Sequence, residues 1–145
     1  MYCITIWGNS SESFLHPINI LYNKFIKALL FLPKSTTTIL LYSSTSTLTL
    51  NKLYKFAIAV LIYKYFYFPT PLPSKIHQIF SLATSIHKYQ TRGSSSNNLF
   101  CKSSLMTSRH NALAIQGQKI WISLPLTLKS ASAITQFKNG LKHFY

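Results

Sequence analysis

Asn51-Lys52-Leu53-Tyr54-Lys55-Phe56-Ala57-Ile58-Ala59-Val60-Leu61-Ile62-Tyr63-Lys64-Tyr65-Phe66-Tyr67 is the stretch whose reading decides the fold. Leu53, Phe56, Val60 and Tyr63 recur at spacings of three and four, with Ala57, Leu61 and Lys64 beside them. A segment apolar nearly all round with that period predicts a central, buried helix. Asn51 is expected to cap its start. Phe68-Pro69-Thr70-Pro71-Leu72-Pro73 ends it, because proline lacks an N–H and pushes the residue before it into extended backbone. A bilayer crossing needs about 20 mainly apolar residues. Here the uninterrupted run covers only Phe56 to Tyr63, between Lys55 and Lys64. The expectation is a buried helix and no transmembrane span, with a surface-bound helix as the alternative.

Working outward, Leu15, Ile18, Leu21 (or Tyr22), Phe25, Leu29 and Leu32 mark one face of a helix over Leu15–Leu32. Ser13 is the expected cap, Pro17 takes a first-turn position and Pro33 is the stop. Lys24 and Lys27, three apart, share a side. The alternating, β-branched stretch Tyr2–Gly8 predicts a short strand. Ser35–Thr49 reads as an irregular connection with at most a short helical turn around Ile39-Leu40-Leu41-Tyr42. A third helix is expected from Ser74 to about His87, with Ile76, Ile79, Phe80, Ala83 and Ile86 inward. Tyr89 to Asn111 is polar and predicts a long loop. Ala112–Ile115 alternates and predicts a second short strand, with Gln116-Gly117 turning the chain. The last helix, Ser132 to about His143, turns Ile134, Phe137 and Leu141 inward and carries Lys138 and Lys142 on another face. The fold class expected is mainly α: a small helical bundle of about four helices with one or two short strands and a long polar loop. Trp7, Leu21, Phe25, Phe56, Val60, Phe80, Trp121 and Phe137 are its expected core.

Charge narrows the chemistry. Fifteen Lys and Arg residues face a single carboxylate, Glu12, with no Asp, for a formal net charge of +14 over 145 residues. A two-metal phosphoryl-transfer site and a glycosidase carboxyl pair each need more acids than this, and a Ser-His-Asp triad needs an orienting acid that only Glu12 could supply. An independent enzyme is not expected. Cys3 and Cys101 belong to no C-x-x-C pair, and His16, His77, His87, His110 and His143 do not complete a zinc set with them. No metal or cofactor is expected, and free thiols fit a reducing, intracellular compartment. The opening residues lack the basic n-region of a secretory signal.

Several stretches, taken in order, resemble one family. Gly117-Gln118-Lys119-Ile120-Trp121 followed by Leu124-Pro125 resembles the G-x-x-x-W-N-x-L-P signature near the C-terminus of non-LTR retrotransposon reverse transcriptases. His87-Lys88-Tyr89-Gln90-Thr91-Arg92 is similar to the H-x-Y-x-T-R motif that precedes it there. Ser132 to Lys142, through Phe137-Lys138 and Leu141-Lys142, resembles the terminal S-x-x-x-x-F-K-x-x-L-K helix. Tyr2-Cys3-Ile4-Thr5-Ile6-Trp7-Gly8 resembles the Y-G-I-x-x-W-G stretch after the polymerase core, and Asn23-Lys24-Phe25-Ile26-Lys27 the Q-N-K-x-x-R helix. Cys3 stands where the family has Gly, Lys27 where it has Arg, and Ile122 where it has Asn. The resemblance implies the thumb and C-terminal tail of such a polymerase, truncated and without the palm and its Asp-Asp motif. It also implies a division into a thumb-like segment (1–68), a Pro-rich joint (69–73) and a tail region (74–145).

Together these readings predict a non-catalytic protein that holds RNA or DNA backbones without reading sequence, in the nucleus or cytoplasm, with the rest of a reverse transcriptase as a further expected partner. Each lysine near a phosphate releases condensed counterions. The residues expected to make such contacts are Lys24, Lys27, Arg92, Lys119, Lys138 and Lys142. Trp7, Gly8, His87, Tyr89, Thr91, Gly117, Trp121, Pro125 and Phe137 are expected to be structural. Trp121 and the Tyr63–Tyr67 aromatics are read as packing rather than as base-stacking platforms. A functionless retroelement remnant and a basic amphipathic membrane-surface protein are the alternatives.

Overall fold

The structure is a computed structural model, and it describes residues 3–45, 47–68, 73–80, 99–100 and 113–145, apart from the side chains at 44, 75, 77 and 78. Its elements are helices: α1 (Ile4–Trp7), α2 (Glu12–Leu29), α3 (Thr38–Thr45), α4 (Leu50–Tyr67), α5 (Ser74–Ile79), α6 (Leu113–Ser123), α7 (Leu126–Lys129) and α8 (Ile134–Phe144). A mainly α chain is therefore what the sequence makes. Among the described residues there is no strand. Ile4–Trp7 forms a helical turn instead of the expected strand, closed by the Gly8 N–H donating to the Ile4 carbonyl at 2.8 Å. The expected strand at 112–115 is also overturned, because Leu113 already opens α6 and Gln116-Gly117 continues that helix. A period cannot be fixed over four residues, so tertiary packing decided both.

Other boundaries move as well. α2 begins at Glu12, which places Pro17 inside the helix rather than in its first turn, leaving the Ser13 carbonyl without that N–H. Thr38–Thr45 is a full helix where an irregular connection was expected. Thr49, not Asn51, caps the start of α4, its hydroxyl accepting from the Lys52 N–H at 3.4 Å. α5 stops at Ile79 because Phe80 is extended (φ −104°, ψ 129°), well short of His87.

Tertiary contacts divide the chain into two compact units, Met1–Tyr54 with Tyr145, and Lys55–Phe144, the boundary falling inside α4. In the first unit Ile4, Ile26, Leu41, Leu50 and Tyr54 are buried. Gly8 has no room for a side chain: a Cβ there would lie 2.5 Å from the Ile4 carbonyl oxygen and 2.6 Å from the Tyr54 ring. α2 is tied down along its Tyr22, Asn23 and Ile26 side. The Tyr22 hydroxyl donates to the Leu48 carbonyl at 3.0 Å, and the Asn23 side-chain oxygen accepts from the Tyr42 hydroxyl. The face predicted to be buried, carrying Leu21 and Phe25, is instead exposed. The 3–4 spacing announced an apolar face correctly, but the polar hooks on Tyr22 and Asn23 determine which side is packed.

In the second unit α4 supplies Ile58, Ala59, Ile62 and Tyr63, all buried, while Phe56 and Val60 of the expected core are only half-buried. Trp7, in the first unit, is half-buried too. Phe80, Trp121 and Phe137 are buried as expected. Tyr63 stacks on Phe137 at 4.2 Å between centroids, Phe66 stacks on Trp121 at 5.1 Å, and Trp121 lies 6.2 Å from Phe137. Positions 63, 66 and 67 share a helix face by their spacing, so one side of α4 presents a column of rings to α6 and α8. Gly117 lets α6 approach that column: a Cβ would sit 3.0 Å from Phe80 and 3.1 Å from Ile62.

Candidate nucleic-acid interface

α8 is the most clearly two-sided helix. Phe137 and Leu141 are fully buried, Lys138 is half-buried, and Asn139, Lys142 and His143 are half-turned or fully turned to solvent. Lys138 and Lys142 stand four residues apart, about 6 Å along the helix axis, a separation flexible lysine stems bridge readily. Beside them an open groove of about 590 Å³ runs along α7 and α8, lined by Thr127, Leu128, Ala131, Thr135, Gln136, Asn139, Gly140 and His143. Gly140 forms part of its floor because a side chain there would collide with Leu128.

The backbone of this groove is held from a distance. The Tyr63 hydroxyl donates to the Ala131 carbonyl at 2.6 Å, and the Tyr67 hydroxyl to the Lys129 carbonyl at 2.7 Å. These bonds satisfy carbonyls where α7 ends, groups that have no intrahelical partner. Each tyrosine thus packs its ring and uses its hydroxyl. Base stacking on Tyr63 would require pulling it out of the core.

Burial raises the Tyr63 hydroxyl above its ordinary pKa of 10.0, with Tyr67 nearby adding to the effect. The folded state therefore holds the proton more tightly than the unfolded one, so this contribution to stability is complete below pH 10.0 and is lost as pH rises beyond it. Tyr63→Phe should lower stability at neutral pH by about 1–3 kcal/mol, since the Ala131 carbonyl loses its donor. It should also flatten the fall in stability above pH 10. Urea melts from pH 8 to pH 11 on both proteins check this; parallel pH profiles would contradict it.

Of the other cations, Lys119 projects from α6 into solvent between buried Gln118 and Ile120. Lys24 is exposed on α2, while Lys27 is half-buried and donates to the Lys34 carbonyl at 3.0 Å, closing the end of that helix. Lys27 therefore has a local structural role besides its charge. Arg92, His87, Tyr89 and Thr91 lie outside the described residues, as do Cys101 and His110. Pro125 starts α7 from extended backbone. Gly117, Trp121 and Phe137, singled out as structural, meet around α4 in the second unit.

One residue was not legible beforehand. Lys129 is buried, with its ammonium 5.7 Å from the Trp121 ring centre, and desolvation pulls its pKa below 10.5. Nothing in Leu128-Lys129-Ser130 distinguishes it from a surface lysine. Gln118 is similarly hidden: its side-chain N–H donates to the Leu99 carbonyl at 2.7 Å, while its oxygen has no partner among the described residues. Also among the described residues, no cluster of His, Cys, Asp or Glu could hold a metal ion, and no helix is long and apolar enough to cross a membrane.

Comparison with known proteins finds no matching family model, no matching curated protein and no matching solved structure.

Proposed function

We propose that this chain is a non-catalytic helical protein that binds nucleic-acid backbones, equivalent to the thumb and tail of a non-LTR reverse transcriptase. The observation that carries the reading is the charge imbalance: fifteen cations cannot be neutralised by Glu12, whatever the fold. Polyphosphate supplies the missing charge, and release of its counterions drives the association. The order of the quoted motifs, from Tyr2 to Lys142, supports the kinship. Lys119, Lys138 and Lys142 on the second unit, and Lys24 on the first, are half or fully accessible and serve as positioning contacts to phosphate rather than as readers of bases. Nucleus or cytoplasm is the setting such a role requires.

The test is a paired substitution, Lys138→Gln with Lys142→Gln, in the full chain. Neither side chain is buried, so thermal stability should hold. Fluorescence anisotropy on an RNA–DNA hybrid across a salt series should show the slope of log K against log salt falling in magnitude by about 2. An unchanged slope would remove α8 from the interface.

A further inference from the structure

α2 carries a second surface that phosphate cannot cover. Phe14, Ile18, Leu21, Phe25 and Leu29 fall within about 80° of one another around the helix, and Phe31 follows at its end. All are exposed, Leu21 by 64%, Phe25 by 62% and Phe31 by 95%. This is not the packed side of the helix, which is fixed by Tyr22, Asn23 and Ile26. Lys24 borders the stripe, and Lys34 follows the helix end.

Phe31 adds an independent observation. The Leu32 N–H donates to the Lys27 carbonyl at 2.9 Å and the Phe31 N–H to the Ala28 carbonyl at 3.2 Å, the paired bonds of a Schellman cap. That cap puts Phe31 at φ 53°, the left-handed region where glycine is normally found. The chain keeps an aromatic ring there, fully in solvent, at a position where glycine would relieve strain.

The geometry points to α2 as an interfacial helix that seats on an anionic lipid surface, with the Phe and Leu stripe in the acyl boundary and Lys24 and Lys34 at the headgroups. Charge complementarity selects this occupant. A second copy of the chain brings another +14 and repels. Nucleic acid offers charge without a hydrocarbon layer, whereas an anionic bilayer offers both in one plane. The inference uses a different ligand and an apolar surface that the nucleic-acid reading leaves unused, the two sharing only Lys24 at the border of the stripe.

The experiment is co-sedimentation of the full chain with vesicles of phosphatidylcholine alone, or of phosphatidylcholine with phosphatidylserine. Leu21→Gln with Phe25→Gln, and separately Phe31→Gly, are the variants. Both should fold, the first because its side chains are exposed and the second because glycine suits the cap. Binding to the anionic vesicles should fall about tenfold or more in the double variant and severalfold in Phe31→Gly, with little binding to phosphatidylcholine alone. Nucleic-acid affinity should be unchanged in both. Equal vesicle binding by wild type and variants would overturn the inference, as would absence of vesicle binding. Wild-type self-association abolished by the double variant would assign the stripe to a second copy and overturn it too.

Discussion

Trp121→Ala should lower the unfolding free energy by about 3–5 kcal/mol, the range for removing a large aromatic from a packed core. The indole is almost wholly buried, stacked on Phe66 at 5.1 Å and 6.2 Å from Phe137. It also faces the Lys129 ammonium, which would lose its aromatic partner. Domains of this size are stable by only about 5–15 kcal/mol, so the variant should sit close to its unfolding threshold. Urea denaturation followed by circular dichroism measures the effect. A loss below about 1 kcal/mol would mean that the ring column of α4, α6 and α8 does not hold the second unit together.

Raising salt from 50 to 200 mM should weaken binding to duplex or hybrid about a thousandfold, if Lys24, Lys27, Arg92, Lys119, Lys138 and Lys142 each engage a phosphate. Six contacts give a slope near −5 on logarithmic axes, at about 0.9 per contact. Sequence should matter little, because phosphate contacts position a duplex without discriminating bases. Affinity that stays constant across this range would leave the cationic excess unexplained by nucleic acid. A shallow slope with tight binding would instead indicate apolar contacts to bases, which the burial of Trp121 and Tyr63 argues against.

The long apolar element α4 and the two-sided α8 were legible because their patterns run for three turns or more. Phe137 and Leu141 are buried and Lys142 exposed, as the spacing requires. Short segments were not legible: Ile4–Trp7 is rich in β-branched residues yet helical, and Leu113–Ile115 alternates yet opens α6. In α2 the period fixed a face but not its fate, since the bonds of Tyr22 and Asn23 are long-range facts. Of the candidate lysines, Lys24 and Lys142 are exposed on helices whose apolar spacing was readable, whereas Lys27 and Lys138 are half-buried. The burial of Lys129 could not be read from spacing, because it depends on where Trp121 lies after folding.

The two tyrosine hydroxyls that hold the end of α7 impose an order on biogenesis. Their acceptors at Lys129 and Ala131 are 62 and 68 positions downstream. On a ribosome α4 emerges before either carbonyl is made, so these two bonds close only after most of the remaining chain has been translated. A holding chaperone, or slowed translation between the two halves, would then raise the yield of correctly closed molecules.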